Sequence, residues 1–255
     1  MDSFILTGNP IKEINLENEP QIASFTYPDM LYKGDNLGRN IVSTINKDFE
    51  GTPAAFSKSE IQDIANSGVI KYSNFYRAAI ISKYLDENKI TNLHLLGLKE
   101  LIQYIQTNKI PELSSTYADI GEAVINPNSS SGENEEMRQR GLDIIGYQIK
   151  VPYLISGFGI KKVRKDTIEI YKSKSTKIEE APYLRENGYL TYDSKTKKII
   201  KSKDNKGIKV LVSSDLSGFR RVYRNWGLRV IAVDVNLADA ISNGRVQVFY
   251  DPKGR

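Results

Sequence analysis

The chain holds no cysteine, one histidine (His94) and one tryptophan (Trp226) in 255 residues. Without thiols there is no disulfide framework, no Cys-ligated zinc and no thiol nucleophile. A single imidazole excludes any centre that needs two histidines, while a triad built on one stays formally open. No apolar run approaches the roughly 18–20 residues of a membrane-spanning helix. The opening "MDSFILTGNPIKEINLENEP" starts with an acid and lacks a basic stretch before its apolar residues, so it predicts no secretory signal.

What is present fits an ordinary soluble globular protein: 40% hydrophobic and 26% charged residues, in a chain long enough for one large domain or two small ones. The charge is unevenly spread. Residues 1–149 carry 13 Lys and Arg against 20 Asp and Glu, a net of −7, and residues 150–255 carry 23 against 11, a net of +12. Such a chain can meet an acidic partner with one half or stack head-to-tail with copies of itself. Its halves can equally attract one another inside one monomer.

Closely spaced turn signals ("TGNP", "YPDM", "KGDNLG", "EGTP") mark residues 1–56, with "FIL", "QIASFTY" and "RNIVSTI" as brief strands between them. "SKSE" at Ser57–Glu60 is a capping box that opens a helical region. In "SNFYRAAIISKYLDEN", Phe75, Ala78, Ala79 and Leu85 fall at helical spacing. In "HLLGLKELIQYIQTNK", Leu95, Leu98, Ile102 and Ile105 do the same, with His94 near the helix start as a capping or partly buried residue. "TYADIGEAVI" reads as a further short helix, and "NPNSSSGENEE" as a solvated loop.

Beyond it the pattern turns to strands. "DIIGYQIKVPYLISGFGI" is β-rich, "DTIEIYKS" alternates, and "GYLTYDSKTKKIIKS" is a hairpin. "GIKVLVSS", "GLRVIAVDVN" and "RVQVFYD" are strands, and "LADAISNG" is a short helix. Together these segments predict an α+β chain. It has an extended N-terminal arm (1–56), a small helical unit (57–125), a polar linker or loop (126–141) and a C-terminal, mainly antiparallel, basic β unit (142–255).

The candidate contact surface is "SGFRRVYRNWGLRV", where Arg220, Arg221, Arg224 and Arg229 alternate with Tyr223 and Trp226. Guanidinium groups fork onto phosphates and aromatic rings stack on bases; the same residue types also anchor protein interfaces. Lys197, Lys198 and Lys201 on the neighbouring hairpin extend the basic set, or simply shield a sheet edge. "DTIEIYK" offers Asp166, Glu169 and Lys172 to a metal-dependent nuclease. On a strand, however, the Glu169–Lys172 spacing points the two side chains to opposite faces. Asp215, Asp234 and Asp239 are scattered acids of the surface type. "SGFGIKK" lacks the spacing of a phosphate-binding loop and reads as a strand bend.

The cysteine-free composition, rich in Lys, Asn, Ile and Tyr, resembles that of proteins of AT-rich phages, including crAss-like phages of gut Bacteroidetes. The layout of arm, compact middle and charge-polarised β unit is similar to that of their virion structural proteins, with neck and tail ring (connector) proteins the nearest group. The resemblance is one of composition and layout and carries no site residue over. It implies a non-enzymatic assembly subunit, a head-to-tail connector or tail ring protein, located in the virion and assembled in the host cytoplasm. Its partners would be copies of itself in a ring and neighbouring virion proteins, with no membrane, cofactor or metal. DNA contact through the basic half is the alternative reading, and a divergent metal-dependent nuclease a weaker one.

Overall fold

The structure, a computed structural model, describes residues 3–6, 11–15, 21–24, 74–89, 93–107, 117–126, 142–146, 150–164, 167–212, 219–225, 229–232, 237 and 244–250. The capping box at 57–60, the polar loop beyond Asn126 and the "LADAISNG" helix lie outside them, apart from Leu237. The class is α+β, as expected.

β1 (Ser3–Leu6) and β2 (Ile11–Asn15) pair antiparallel in a two-stranded sheet of their own. β3 (Gln21–Ser24) joins the large sheet instead. α1 (Phe75–Glu87) begins where Asn74 Oδ1 accepts from the Arg77 amide at 2.9 Å, and ends at Asn88. β4 (Leu93–Leu95) follows, so His94 lies on a strand rather than at the head of α2 (Leu98–Thr107).

β5 (Tyr117–Ile125) corrects the reading of "TYADIGEAVI" as a helix. All nine of its residues are buried. A strand covered on both faces loses the alternation that reveals a strand and shows instead as a continuous apolar run. Tyr117, Ile120, Val124 and Ile125 suit the pleat, and Gly121 is a poor helix residue. Residues 142–145, expected inside a β-rich run, are helical.

The remaining strands are β6 (Tyr153–Ser156), β7 (Gly159–Arg164), β8 (Thr167–Tyr171), β9 (Lys177–Glu180), β10 (Gly188–Asp193) and β11 (Lys198–Lys201). After them come β12 (Ile208–Val212), β13 (Phe219–Asn225), β14 (Arg229–Ala232) and β15 (Gly244–Tyr250). Among the described residues, eleven strands form one sheet, its main path running β11-β10-β12-β14-β13-β5-β15-β3. Pairing is mainly antiparallel, with β12–β14 and β5–β15 the parallel exceptions. β7 and β8 form a separate hairpin.

Register assigns the two faces. Phe219, Arg221 and Tyr223 oppose Ile125, Ala123 and Asp119 on one face, and Arg220, Val222 and Arg224 oppose Val124, Glu122 and Ala118 on the other. α1 covers the first face. Phe75 stacks on Phe158 at 4.9 Å and meets Phe219 edge-on at 5.5 Å. α2 covers the second, where Leu98, Leu101 and Ile102 pack with Ile120, Val124, Val210, Val222 and Val230. Each such side chain contributes about 1.5–3 kcal/mol on burial. The C-terminal turn of α2 is tied down by Gln106, which accepts from the Tyr192 amide at 2.7 Å and donates to Thr191.

Candidate functional site

The arginines picked out by sequence point inward. Arg220, Arg221 and Arg224 are buried, at 5%, 1% and 0% exposure. Arg221 Nη1 lies 3.7 Å from Asp119 Oδ1, within ion-pair range but beyond hydrogen-bond length. Its guanidinium also sits 4.7 Å from the Tyr223 ring centroid and 5.5 Å from that of Tyr117, which is cation–π distance. Burial pulls the Arg224 guanidinium down to about 10. In this conformation the three groups reinforce the sheet interior and present no fork to an external phosphate.

The other expected contacts are elsewhere. Arg229 is exposed on β14, paired opposite Asn225. Lys197 and Lys198 are exposed at the β10–β11 hairpin, and Lys201 is half-buried and bonded to Glu186. Strands β10, β12 and β14 separate β11 from β13, roughly 19 Å at ordinary strand spacing. The lysines and the arginines therefore do not form one patch. Trp226 lies outside the described residues, as do Asp166, Asp215, Asp234 and Asp239. Glu169 is engaged by Lys161 at 3.3 Å. Gly157, with φ +62°, turns the chain between β6 and β7, the strand bend expected of "SGFGIKK". Among the described residues no group of three His, Asp or Glu side chains is placed to hold a metal ion.

The described residues also enclose a cavity that the sequence did not announce. It begins with an irregularity in β5. Val222 pairs with Glu122, yet the next residue, Tyr223, pairs with Asp119, so Ile120 and Gly121 are extra and form a bulge. Gly121 has φ +67°, and a Cβ there would lie 2.3 Å from Leu95 Cδ1. At the bulge the far edge of β5 changes neighbour, from β15 (residues 117–119) to β6 (residues 122–125). The sheet forks, and a cavity of about 640 Å³ lies there, lined by residues of α1, α2, β4, β5, β6 and β9.

The N-terminus of α2 organises the floor. Glu100 Oε2 accepts from the Gly97 amide at 3.1 Å, a capping arrangement, and Glu100 Oε1 lies 2.8 Å from His94 Nε2. Glu122 Oε2 accepts from the Leu98 amide at 2.9 Å. Gly97 has to be small, because a Cβ would lie 2.9 Å from Glu122 Oε1. Glu122 is only 8% exposed. Burial pushes its carboxyl up to about 8, with Glu100 and Glu179 adding to the rise and the Leu98 amide and Lys177 opposing it. The wall residue Tyr183 is also pushed up, by burial and then by Glu122 and Glu179. Lys99, Lys177 and Glu179 stand exposed at the rim. A carboxyl held neutral at pH 7 can donate a hydrogen bond into the cavity, or release its proton when a positive charge arrives.

No protein-family model, curated protein or solved structure matches the chain. Among the described residues no helix is long and apolar enough to cross a membrane.

Proposed function

We propose that the chain is a non-enzymatic assembly subunit of a phage virion, a head-to-tail connector or tail ring protein, working through contacts between copies of itself. The observation that carries this reading is the edge of the sheet. The N-terminal strand β3 pairs with residues 247–250 of β15 and ends the main path of strands. An edge strand delivered by a turn-rich arm (1–56) is a segment that a neighbouring copy can receive in place of its own. The charge polarity, −7 over residues 1–149 and +12 over residues 150–255, supplies complementary surfaces for head-to-tail contact. Such heterologous contacts close into a ring when the rotation allows.

Burial of Arg220, Arg221 and Arg224 favours this reading over DNA binding by those arginines. DNA contact then rests on the exposed Lys197, Lys198 and Arg229. Size-exclusion chromatography with light scattering, on the full chain and on a form lacking residues 1–56, tests the proposal. The full chain is expected to form oligomers of one size, and the shortened form a monomer that keeps its helical circular-dichroism signal. A shortened form that assembles normally overturns the role of the arm. A full chain that stays monomeric until duplex DNA is added overturns the assembly reading in favour of nucleic-acid binding.

A further inference from the structure

The sheet face that α1 covers at β5 continues outward onto β14, β12, β10 and β11, and there one row of it is basic. Tyr189 pairs with Lys209. The parallel register of β12 and β14, followed back one residue from Val210 and Val230, sets Lys209 beside Arg229. Arg229 in turn pairs with Asn225. Asn225, Arg229, Lys209 and Tyr189 therefore form one row straight across four strands, about 14 Å long at ordinary strand spacing. Lys209 and Arg229 are exposed, and Asn225 and Tyr189 are half-buried. Toward the sheet edge the same face carries the pair Thr191 and Ile200, with Ile200 42% exposed, and then Lys198 opposite Asp193.

The charge of this row is not answered within the chain. Nearby Lys201 is engaged by Glu186 and Lys206 by Asp204. Lys209, Arg229 and Lys198 have no acidic partner among the described residues. Asp193, the acid that shares the face, is turned into its own hairpin. Its carboxylate accepts from the Lys195 amide at 2.9 Å and from the Thr196 hydroxyl at 2.8 Å. Unanswered cations beside an aromatic ring, on an open pleated face, suit a chain of phosphates whose bases can lie on the ring. A duplex hides its bases from such a ring, and an acidic peptide gains nothing from stacking on it. We propose that this row binds a single-stranded nucleic acid, with phosphates on Lys209 and Arg229 and a base stacked on Tyr189. Lys198 extends the path toward the β10–β11 hairpin. The face belongs to one copy of the chain, so this inference holds or fails independently of assembly.

Fluorescence anisotropy of a labelled oligothymidylate of about 12 nucleotides, titrated with the full chain, tests this directly. Wild-type affinity is expected to fall at least about sevenfold between about 50 and 200 mM salt. The double variant Lys209→Gln/Arg229→Gln, changed at two exposed positions, is expected to stay folded by circular dichroism and to lose about 1.4 from the log–log salt slope. Tyr189→Leu is expected to weaken binding about fivefold or more at unchanged slope, and Tyr189→Phe to retain it. The duplex with the complementary strand, and polyglutamate of matched charge, are expected to bind more weakly. The absence of a saturable change with wild type at the lowest salt overturns the proposal, whatever the variants do. Wild-type affinity and slope in the folded double variant, or wild-type affinity in a folded Tyr189→Leu, does the same. Equal binding of the duplex assigns the face to double-stranded DNA, and equal binding of polyglutamate assigns it to an acidic protein surface; either result overturns the single-strand assignment.

Discussion

Two residues of β5 carry opposite burdens. Asp119 is the counter-charge of Arg221, and both are buried. Removing one partner of a buried pair leaves the other desolvated and uncompensated, which costs about 3–5 kcal/mol. Asp119→Ala should therefore lower the unfolding free energy obtained from urea titration by that amount, whereas a loss under about 0.5 kcal/mol would place the Arg221 charge elsewhere. Glu122 has the opposite character: it folds most favourably when neutral. Its carboxyl rises from an ordinary 4.5 to about 8 in the folded chain. Its contribution is fully present below pH 4.5 and is lost as pH climbs through about 8. Between urea titrations at pH 5 and pH 8.5, wild type should lose on the order of 3–5 kcal/mol more stability than Glu122→Gln. Parallel pH profiles for the two proteins would mean that Glu122 ionises freely in the folded state.

At the scale of elements, the bulge in β5 decides where the cavity lies. Gly121 supplies the positive φ, and its missing Cβ leaves room for Leu95. Gly121→Ala combines an unfavourable backbone region with a displaced leucine, a cost of about 1–3 kcal/mol. The midpoint of thermal unfolding reads it; an unchanged midpoint would mean that β5 pairs without the bulge. The same strand marks the limit of what the sequence makes legible. α1, the amphipathic stripe of α2 and the strands β8, β10, β11, β12, β14 and β15 follow from period and turn chemistry, and α2 and β12 are the plainest because each hides one face and shows another. β5 hides both, and its acids at positions 119 and 122 fall three apart, as if on one helix face. The cavity was illegible for a related reason. Its groups come from α2, β4, β5 and β9, segments brought together only by sheet pairing. A usable signal was present in "YADIGEAVI": two carboxylates and a glycine inside an otherwise apolar run.

The arginine stretch shows the same limit at larger scale. Its last residues were readable as the start of the strand β14, whereas β13, which pairs antiparallel with β14, carries basic residues on both faces and shows no alternation. Whether its cations face out or in depends on what lies across the sheet, and Asp119, Tyr117 and α1 come from elsewhere in the chain. For the whole molecule, the sheet is assembled from both ends of the sequence, with β3 laid on β15 at its margin. The polarity of charge remains after the buried arginines are set aside, because the lysine hairpin is exposed.

The proposed role requires that this polarised chain associate with copies of itself. Sedimentation velocity of the full chain, from about 50 to about 500 mM salt, measures it most directly. A discrete oligomer is expected at low salt, giving way toward monomer as screening weakens the contact between acidic and basic surfaces. A single monomeric boundary at every salt and protein concentration would contradict it.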